Sequence, residues 1–513
     1  MKILWNWGVI IINNSCITWR EEWVISQYES PWGILEKFKK ANQADDNDIF
    51  NLFGAEKAKL NKTKSWGKTT RELVTLGGLD SKSLKNILGY DLKAINNSNL
   101  EKILGLFTFS HKNIFLRENL HFCRDCLYYG YHSIFHQLNF IDKCPHHNRP
   151  LESKCPKCGL KIPYEINSRS KYPKPFGCSC GYILTSSYND DYGYMKKWTR
   201  KINLDIKILE LKRLLSLTSD QINLIKRIYF HEDFYKRYQT NFLKFILDIV
   251  DGTNEPVNNL VHYKIKTNKN IFKIIDYKSI ESNHFYQGLY GNFRPNVFQI
   301  CENTYKTVMK HLRNTVFKKH KGCLKSLQTK IFLKEYISKS SICPYAYIYI
   351  LIRKSVESFN QLWEIDRKAW PGGKKTVLIL PIEEDRVLRD FFYVWRERLK
   401  ETNFNSEKGF NWVVNRLIFI FIYSFYLHLL ENNETIIENG ISDDEDFSFI
   451  KNAPFFVVVF PEKSSDSVEL HYWLDYKKYV DQLEVNLKCP NESIKKKRKS
   501  KASDLKLSNI LFK

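Results

Sequence analysis

Apolar positions recur at helical spacing over most of this chain, and the pattern predicts a mainly α protein. Residues 1–120 read as helical. Glu29-Ser30-Pro31-Trp32 marks a helix start, with Ser30 as cap, Pro31 in the first turn, and Trp32, Ile34, Leu35 and Phe38 as the apolar face. Thr70 to Leu76, then Gly77-Gly78, then a helix over Ser83 to Leu88 capped by Asp80-Ser81, fits a helix-turn-helix as well as any small helical bundle. Ile202 to Leu217 carries an apolar face with lysines opposite. Thr218-Ser219-Asp220 restarts a helix through Ile228, and Phe242 to Val250 continues the pattern. Further on, Tyr286 to Phe293 reads as a turn, Val297 to Asn303 as a short first helix with its turn, and Thr304 to Lys319 as a recognition helix. Tyr305, Val308, Met309 and Leu312 form its buried stripe. Helices are also predicted over Tyr345 to Phe359 after Pro344, over Ile382 to Lys400 after Pro381, and from Phe410 onward. The longest apolar run, Leu417 to Leu430, is broken by Ser424 and His428. It falls short of the about 18 residues of a membrane span and reads as a buried helix. Phe455 to Phe460 and Val468 to Leu474 flank Pro461 to Asp466 as a β-hairpin.

Between Cys123 and Cys180 the helical pattern gives way to Cys-x2-Cys (Cys123, Cys126), Cys-Pro-His-His (Cys144 to His147), Cys-Pro-Lys-Cys (Cys155 to Cys158) and Cys-Ser-Cys (Cys178 to Cys180). A pair with two intervening residues turns tightly enough to offer both side chains to one ion, and two such pairs close a tetrahedral shell. The sequential assignment puts Cys123, Cys126, Cys144 and His147 on one zinc ion and Cys155, Cys158, Cys178 and Cys180 on a second. Both sites are structural. His146 competes with His147, which is preferred for its x2 spacing from Cys144. Gly159 and Gly181 follow ligand pairs where the turn calls for a positive φ. His132 and His136, within the aromatic stretch Tyr128 to Phe140, are spare ligands read as core or surface residues. Seven of the 12 cysteines lie in this segment; Cys16, Cys301, Cys323, Cys343 and Cys489 show no such pairing and read as core or surface thiols.

Charge changes the picture next. The 513 residues carry 80 Lys+Arg against 56 Asp+Glu, a net charge of +24, which suits a polyanionic partner, above all nucleic acid. Lys306, Lys310, Arg313, Lys318 and Lys319 on the expected recognition helix, and the basic run Lys495, Lys496, Lys497, Arg498 and Lys499 near the end, are the candidate phosphate contacts. Met1 to Ile12 has a short apolar stretch with Trp5 and Trp7 but no cleavage site. The expectation is a soluble cytoplasmic, nucleoid-associated protein with no membrane contact and no small-molecule substrate. An enzyme is not expected. No His-x-Glu accompanies the cysteines as in zinc deaminases. Gly67-Lys68-Thr69 imitates the end of a phosphate-binding loop, but Lys62 stands where that motif needs its first glycine.

The predicted organisation is an N-terminal helical domain (1–120), a tandem zinc module (121–182), a helical domain with the second candidate helix-turn-helix (183–330), a C-terminal helical domain with the hairpin (331–485), and a basic tail (486–513). In fold-class terms these are helix-turn-helix-type helical domains around a two-zinc Cys/His module, with a small β-hairpin near the C-terminus.

Cys123 to Tyr131 (Cys-x2-Cys-Leu-x2-Gly-Tyr), Cys144 to His147, Leu151 to Gly159 (Leu-x3-Cys-Pro-x-Cys-Gly) and Cys178 to Gly181 together resemble the TniQ/TnsD family, as does Glu29-Ser30-Pro31-Trp32. Arg124 stands where a proline is common in that family. The resemblance is specific over about residues 25–182. It implies a target selector of a Tn7-like transposon, which binds a DNA attachment site and recruits an AAA+ ATPase regulator. The chain length is similar to the longer TnsD type. The alternative is a zinc-stabilised adaptor that bridges another targeting complex to the transposition machinery without site-specific DNA affinity of its own. No base-contacting residues carry over.

Overall fold

The computed structural model describes residues 3–4, 9–12, 15–24, 26–56, 71–108, 112–166, 174–185, 191–199, 203–252, 257–260, 263–265, 267–273, 293–314, 317–333, 341–357, 382–402, 407–432, 454–460, 467–473 and 489–490. The chain forms two compact units. One comprises Met1–Glu255 with Phe455–Glu462 and Glu469–His471, the other Pro256–Pro454 with Lys463–Val468 and Tyr472–Lys513.

The first unit opens on an antiparallel three-stranded sheet, β1 (Ile3–Leu4), β2 (Val9–Ile12) and β3 (Ser15–Thr18), with Ile10 opposite both Ile3 and Ile17. Helices were expected throughout this end. The four β-branched residues of β2 account for the difference, because their stiff χ1 angles suit a pleated strand, and only Asn13-Asn14 separates β2 from β3.

Next comes α1 (Pro31–Asn42), started as predicted by Ser30, whose hydroxyl accepts from the Gly33 N–H at 3.2 Å. A reciprocal capping box between Asp45 and Asp48 opens α2 (Asp46–Phe53). Asp80 caps α3 (Ser81–Leu88), Gly89 turns the chain with φ +87°, and Asp91 caps α4 (Leu92–Leu104). Of the helix expected over Thr70 to Leu76, only Arg71 is helical among the described residues. Arg71 O accepts from Ile166 N at 2.8 Å, Arg71 pairs with Glu165, and Leu76 takes a left-handed φ of +53°. This tie to the cysteine-bearing segment holds Glu72 to Leu76 as a turn with Leu73 and Leu76 in the core, so the expected first helix of the candidate helix-turn-helix does not run through them.

Short helices follow: α5 (Arg124–Tyr128), α6 (Asp191–Lys197), α7 (Leu209–Leu214) and α8 (Ser219–Lys226). Thr218 and Gln221 cap α8 reciprocally. The helix predicted over Ile202 to Leu217 shrinks to α7, because residues 203–208 run non-helically and Lys207 N donates to Pro145 O at 2.7 Å. Likewise Ile228 belongs not to α8 but to β4 (Ile228–Tyr229). After β4 come α9 (Glu232–Arg237) and α10 (Phe242–Val250). One core runs from Trp19, Trp23, Trp32 and Phe38 to Leu127, Phe176 and Trp198, so the N-terminal helices and the cysteine-bearing segment bury their apolar faces together.

In the second unit β5 (Val257–Leu260) pairs antiparallel with β6 (Tyr263–Ile265), and β7 (Thr267–Lys273) follows. The helices are α11 (Phe293–Asn314), α12 (Lys321–Phe332), α13 (Pro344–Glu357), α14 (Ile382–Thr402) and α15 (Glu407–Glu431). The second candidate helix-turn-helix is corrected here: α11 continues through Asn303 without a turn, and Lys318 and Lys319 lie beyond its end in the 3-10 turn Phe317–His320. The predicted stripe of Tyr305, Val308, Met309 and Leu312 is buried, and nothing in its 3.6-residue spacing calls for a break at Asn303. At the centre lies α15, packed by α11, α13 and α14. By length and composition Gly409–Glu431 could cross a bilayer, but 83% of its most apolar window is buried inside the protein, as in a core helix.

The chain returns to the first unit with β8 (Phe456–Val459), antiparallel to β4; of β9 (Ser467–Trp473), which neighbours β8, Glu469–His471 belong to this unit. These are the strands of the predicted hairpin. Its turn, the residues Tyr286 to Asn292, the Gly67-Lys68-Thr69 stretch and the Lys495–Lys499 run lie outside the described residues.

Candidate metal centres

Cys123 and Cys126 bracket the first turn of α5, and Cys144 and His147 lie on a turn closed by Asn148 N donating to Cys144 O at 2.8 Å. Asn148 adopts φ +54° there, the conformation asparagine tolerates best after glycine. His147 Nδ1 lies 3.6 Å from Cys123 Sγ, 3.3 Å from Cys126 Sγ and 3.5 Å from Cys144 Sγ, and Cys126 Sγ and Cys144 Sγ are 3.5 Å apart. A tetrahedron built on metal–sulfur bonds of about 2.3 Å has edges of about 3.8 Å, whereas a disulfide brings its sulfurs to about 2.05 Å. The set therefore fits one ion. His146 does not join it: its buried ring lies edge-on to Tyr131, with Nε2 3.5 Å from the phenol oxygen.

The second set is built from two glycine-closed turns. Gly159 N donates to Cys155 O at 2.9 Å and Gly181 N to Cys178 O at 2.8 Å, with φ of +72° and +82° as their positions predict. Cys155 and Cys180 sulfurs are 3.7 Å apart, Cys158 and Cys178 sulfurs 3.6 Å, and all four lie within 4.8 Å of one another. Each set can close a four-ligand shell around one ion with no open position for a substrate.

The helix α1 holds both sets in place. Ser30 N donates to His132 O at 2.7 Å, and the Ser30 hydroxyl meets His132 Nδ1 at 2.6 Å, while His132 Nε2 lies 2.8 Å from His121 O. A carbonyl only accepts, so Nε2 carries the proton and Nδ1 accepts from Ser30. Burial pushes the His132 pKa down to about 4, which keeps this ring neutral. Burial also holds His136 well below its ordinary value, and its ring stands edge-on to His132. Both spare histidines are core residues, in keeping with their expected roles. On the same helix Trp32 packs edge-on against His132 and against Phe176, and Glu36 accepts from Phe176 N just ahead of Cys178.

Sequence reasoning missed the charges inside this unit. Lys37, fully buried, pairs with Glu29 at 2.6 Å and donates to Trp23 O at 2.6 Å. Burial pulls its pKa down against the opposing pull of Glu29. Burial raises the Glu36 pKa. It works against the charge of Lys39, yet Glu36 and Asp46 together outweigh it and hold Lys39 above its ordinary value. Buried charges survive when paired in this way, but lone Lys, Glu and Asp codes give no sign of it.

Among the candidate DNA contacts, Lys306, Lys310 and Arg313 are exposed on α11, and Lys318 and Lys319 are exposed in the turn beyond it. Lys306 is paired with Glu302 one turn earlier. Of the five cysteines read as isolated thiols, Cys16 lies on β3 and Cys301 is buried in α11. The other three do not stay apart: Cys323, Cys343 and Cys489 converge with His320. A signal was present. Cys-Pro occurs at Cys144 and Cys155 and again at Cys343 and Cys489, and His320-x2-Cys323 repeats the x2 spacing. No family model, no curated protein and no solved structure matches this chain.

Proposed function

We propose that this chain is a non-enzymatic DNA-binding protein of the TniQ/TnsD kind, stabilised by zinc at the two centres between Cys123 and Cys180. In this reading it selects the insertion site of a Tn7-like element and passes that site to an AAA+ ATPase regulator. One observation carries the reading. The two stretches that bear the family resemblance, Glu29 to Trp32 and the ligand-bearing segment, are joined by the Ser30–His132 pair of hydrogen bonds, with Trp32 packed on the same ring. The resemblance therefore belongs to one built module rather than to scattered residues. The thiolate-rich donor sets favour zinc, which takes four such ligands in closed structural sites. The net charge of +24 supports a nucleic-acid partner, and Lys306, Lys310, Arg313, Lys318 and Lys319 offer phosphate contacts from the second unit.

The test is selection from fragmented host genomic DNA by the purified, metal-replete protein at about 150 mM salt, where sequence-independent affinity is weak. One strongly enriched locus is the expected result. Uniform recovery, or none, would overturn site-specific binding and leave the adaptor role, in which another factor supplies the address.

A further inference from the structure

In the second unit, four side chains from three separated parts of the chain meet as the two centres of the first unit do. His320 closes the 3-10 turn before α12, Cys323 sits in the first turn of α12, Cys343 immediately precedes α13, and Cys489 comes from the C-terminal region. Cys343 Sγ lies 3.4 Å from His320 Nδ1 and 3.5 Å from Cys489 Sγ, and Cys323 Sγ lies 3.7 Å from Cys489 Sγ. All four donor atoms fall within 4.8 Å of one another, and His320, Cys343 and Cys489 are buried. These separations match the about 3.8 Å edge of a tetrahedron with 2.3 Å metal–sulfur bonds and exceed by well over 1 Å the about 2.05 Å of a disulfide. The His320 ring is set in position by stacking on Tyr345, 4.3 Å between centroids.

We propose that His320, Cys323, Cys343 and Cys489 bind a third metal ion, zinc in class, at a closed structural site that clasps the C-terminal segment onto the second unit. Packing alone assembles three of the ligands, since α12 and the turn before it both pack on α13. Cys489 is different. It lies 146 residues beyond Cys343 in sequence and completes the shell from afar, so the ion closes a long loop of chain. Closing such a loop removes entropy from the unfolded chain, and a metal binding only the folded site adds its binding free energy to folding.

This inference stands apart from the DNA-targeting reading, because its test reads metal and not DNA. Zinc per chain would be measured by plasma mass spectrometry on the desalted full-length protein, for the wild type, Cys489→Ser, Cys343→Ser and Cys489→His. The expected values are three for the wild type, two for each serine variant and three again for the histidine variant, whose imidazole replaces the lost thiolate. Two ions in the wild type and still two in Cys489→Ser would overturn the proposal, and so would three ions in every variant. A disulfide between Cys343 and Cys489 in the isolated protein would also overturn it. Should a serine variant fail to fold, the wild type alone decides. Cadmium-113 exchange is expected to give three resonances, one in the four-sulfur range and two in the three-sulfur, one-nitrogen range. A spectrum with one resonance of each kind would refute the third site.

Discussion

The two centres between Cys123 and Cys180 share a donor count and a turn architecture, but they differ in what surrounds them. At the first, Cys123, Cys126 and Cys144 are 3%, 1% and 0% exposed, and Tyr131 and Leu151 pack against the sulfurs. At the second, Cys158 is exposed and Cys180 half-buried, and a Cβ added to Gly159 or Gly181 would meet nothing within 4 Å. An ion in the first set would be enclosed with Tyr131 in a small buried cluster of its own; an ion in the second would have Cys155 and Cys178 buried but Cys158 open to solvent. Local chemistry decides whether a metal can bind, and burial decides how far its loss is felt.

The largest expected effect separates the two directly. Structural zinc contributes about 10–16 kcal/mol in small zinc-binding peptides, as much as the about 5–15 kcal/mol total stability of a typical domain. Cys144→Ser should therefore abolish the near-UV circular dichroism of the first unit, whose core holds Trp19, Trp23, Trp32 and Trp198. Cys158→Ser should lose its ion yet keep that signal. Equal loss in both variants would show that burial does not distinguish the centres. A smaller effect repeats the contrast at two glycines. At Gly130, φ is +70° and a Cβ would lie 2.4 Å from Trp198 Nε1, so Gly130→Ala combines backbone strain with overpacking. It should cost about 2–5 kcal/mol. Gly159→Ala meets open space and should cost only the left-handed backbone term, about 1–2 kcal/mol. Thermal unfolding of the two variants would check the order, and a reversed order would remove Trp198 as the reason.

Spacing made both of these ligand sets legible, because a tight turn must place its two ligands with two intervening residues or fewer. The same logic reached the Ser30 cap and the positive φ of Gly159 and Gly181. It failed where distant contacts override local pattern. Glu72 to Leu76 continues a helical rhythm but is held as a turn where Arg71 ties to Ile166 and Glu165, about 90 positions away. Residues 203–208 surrender their helix to a bond with Pro145. α11 shows the opposite failure: a turn was read into an unbroken apolar stripe, which the fold simply continues as helix. The third ligand set left only the repeated Cys-Pro and His-x2-Cys spacings as a signal, because its members are spread from His320 to Cys489 and only folding brings them together.

A last test asks how dry the joint between α1 and the cysteine-bearing segment is. His132 is fully buried between Ser30 and His121 O, and burial lowers its pKa to about 4 from the ordinary value near 6.5. The folded state then binds fewer protons than the unfolded state between those values. The stability this neutral ring confers is full above about pH 6.5 and is lost as pH falls toward about 4. Two and a half units correspond to a change on the order of 3 kcal/mol across that window. Nuclear magnetic resonance titration of the histidine ring protons should show His132 silent from pH 8 to pH 5. A midpoint for His132 near 6.5 would mean that water reaches Ser30 and the start of α1. The joint between α1 and the cysteine-bearing segment would then be open to solvent, not buried as the Ser30–His132 hydrogen bonds describe it.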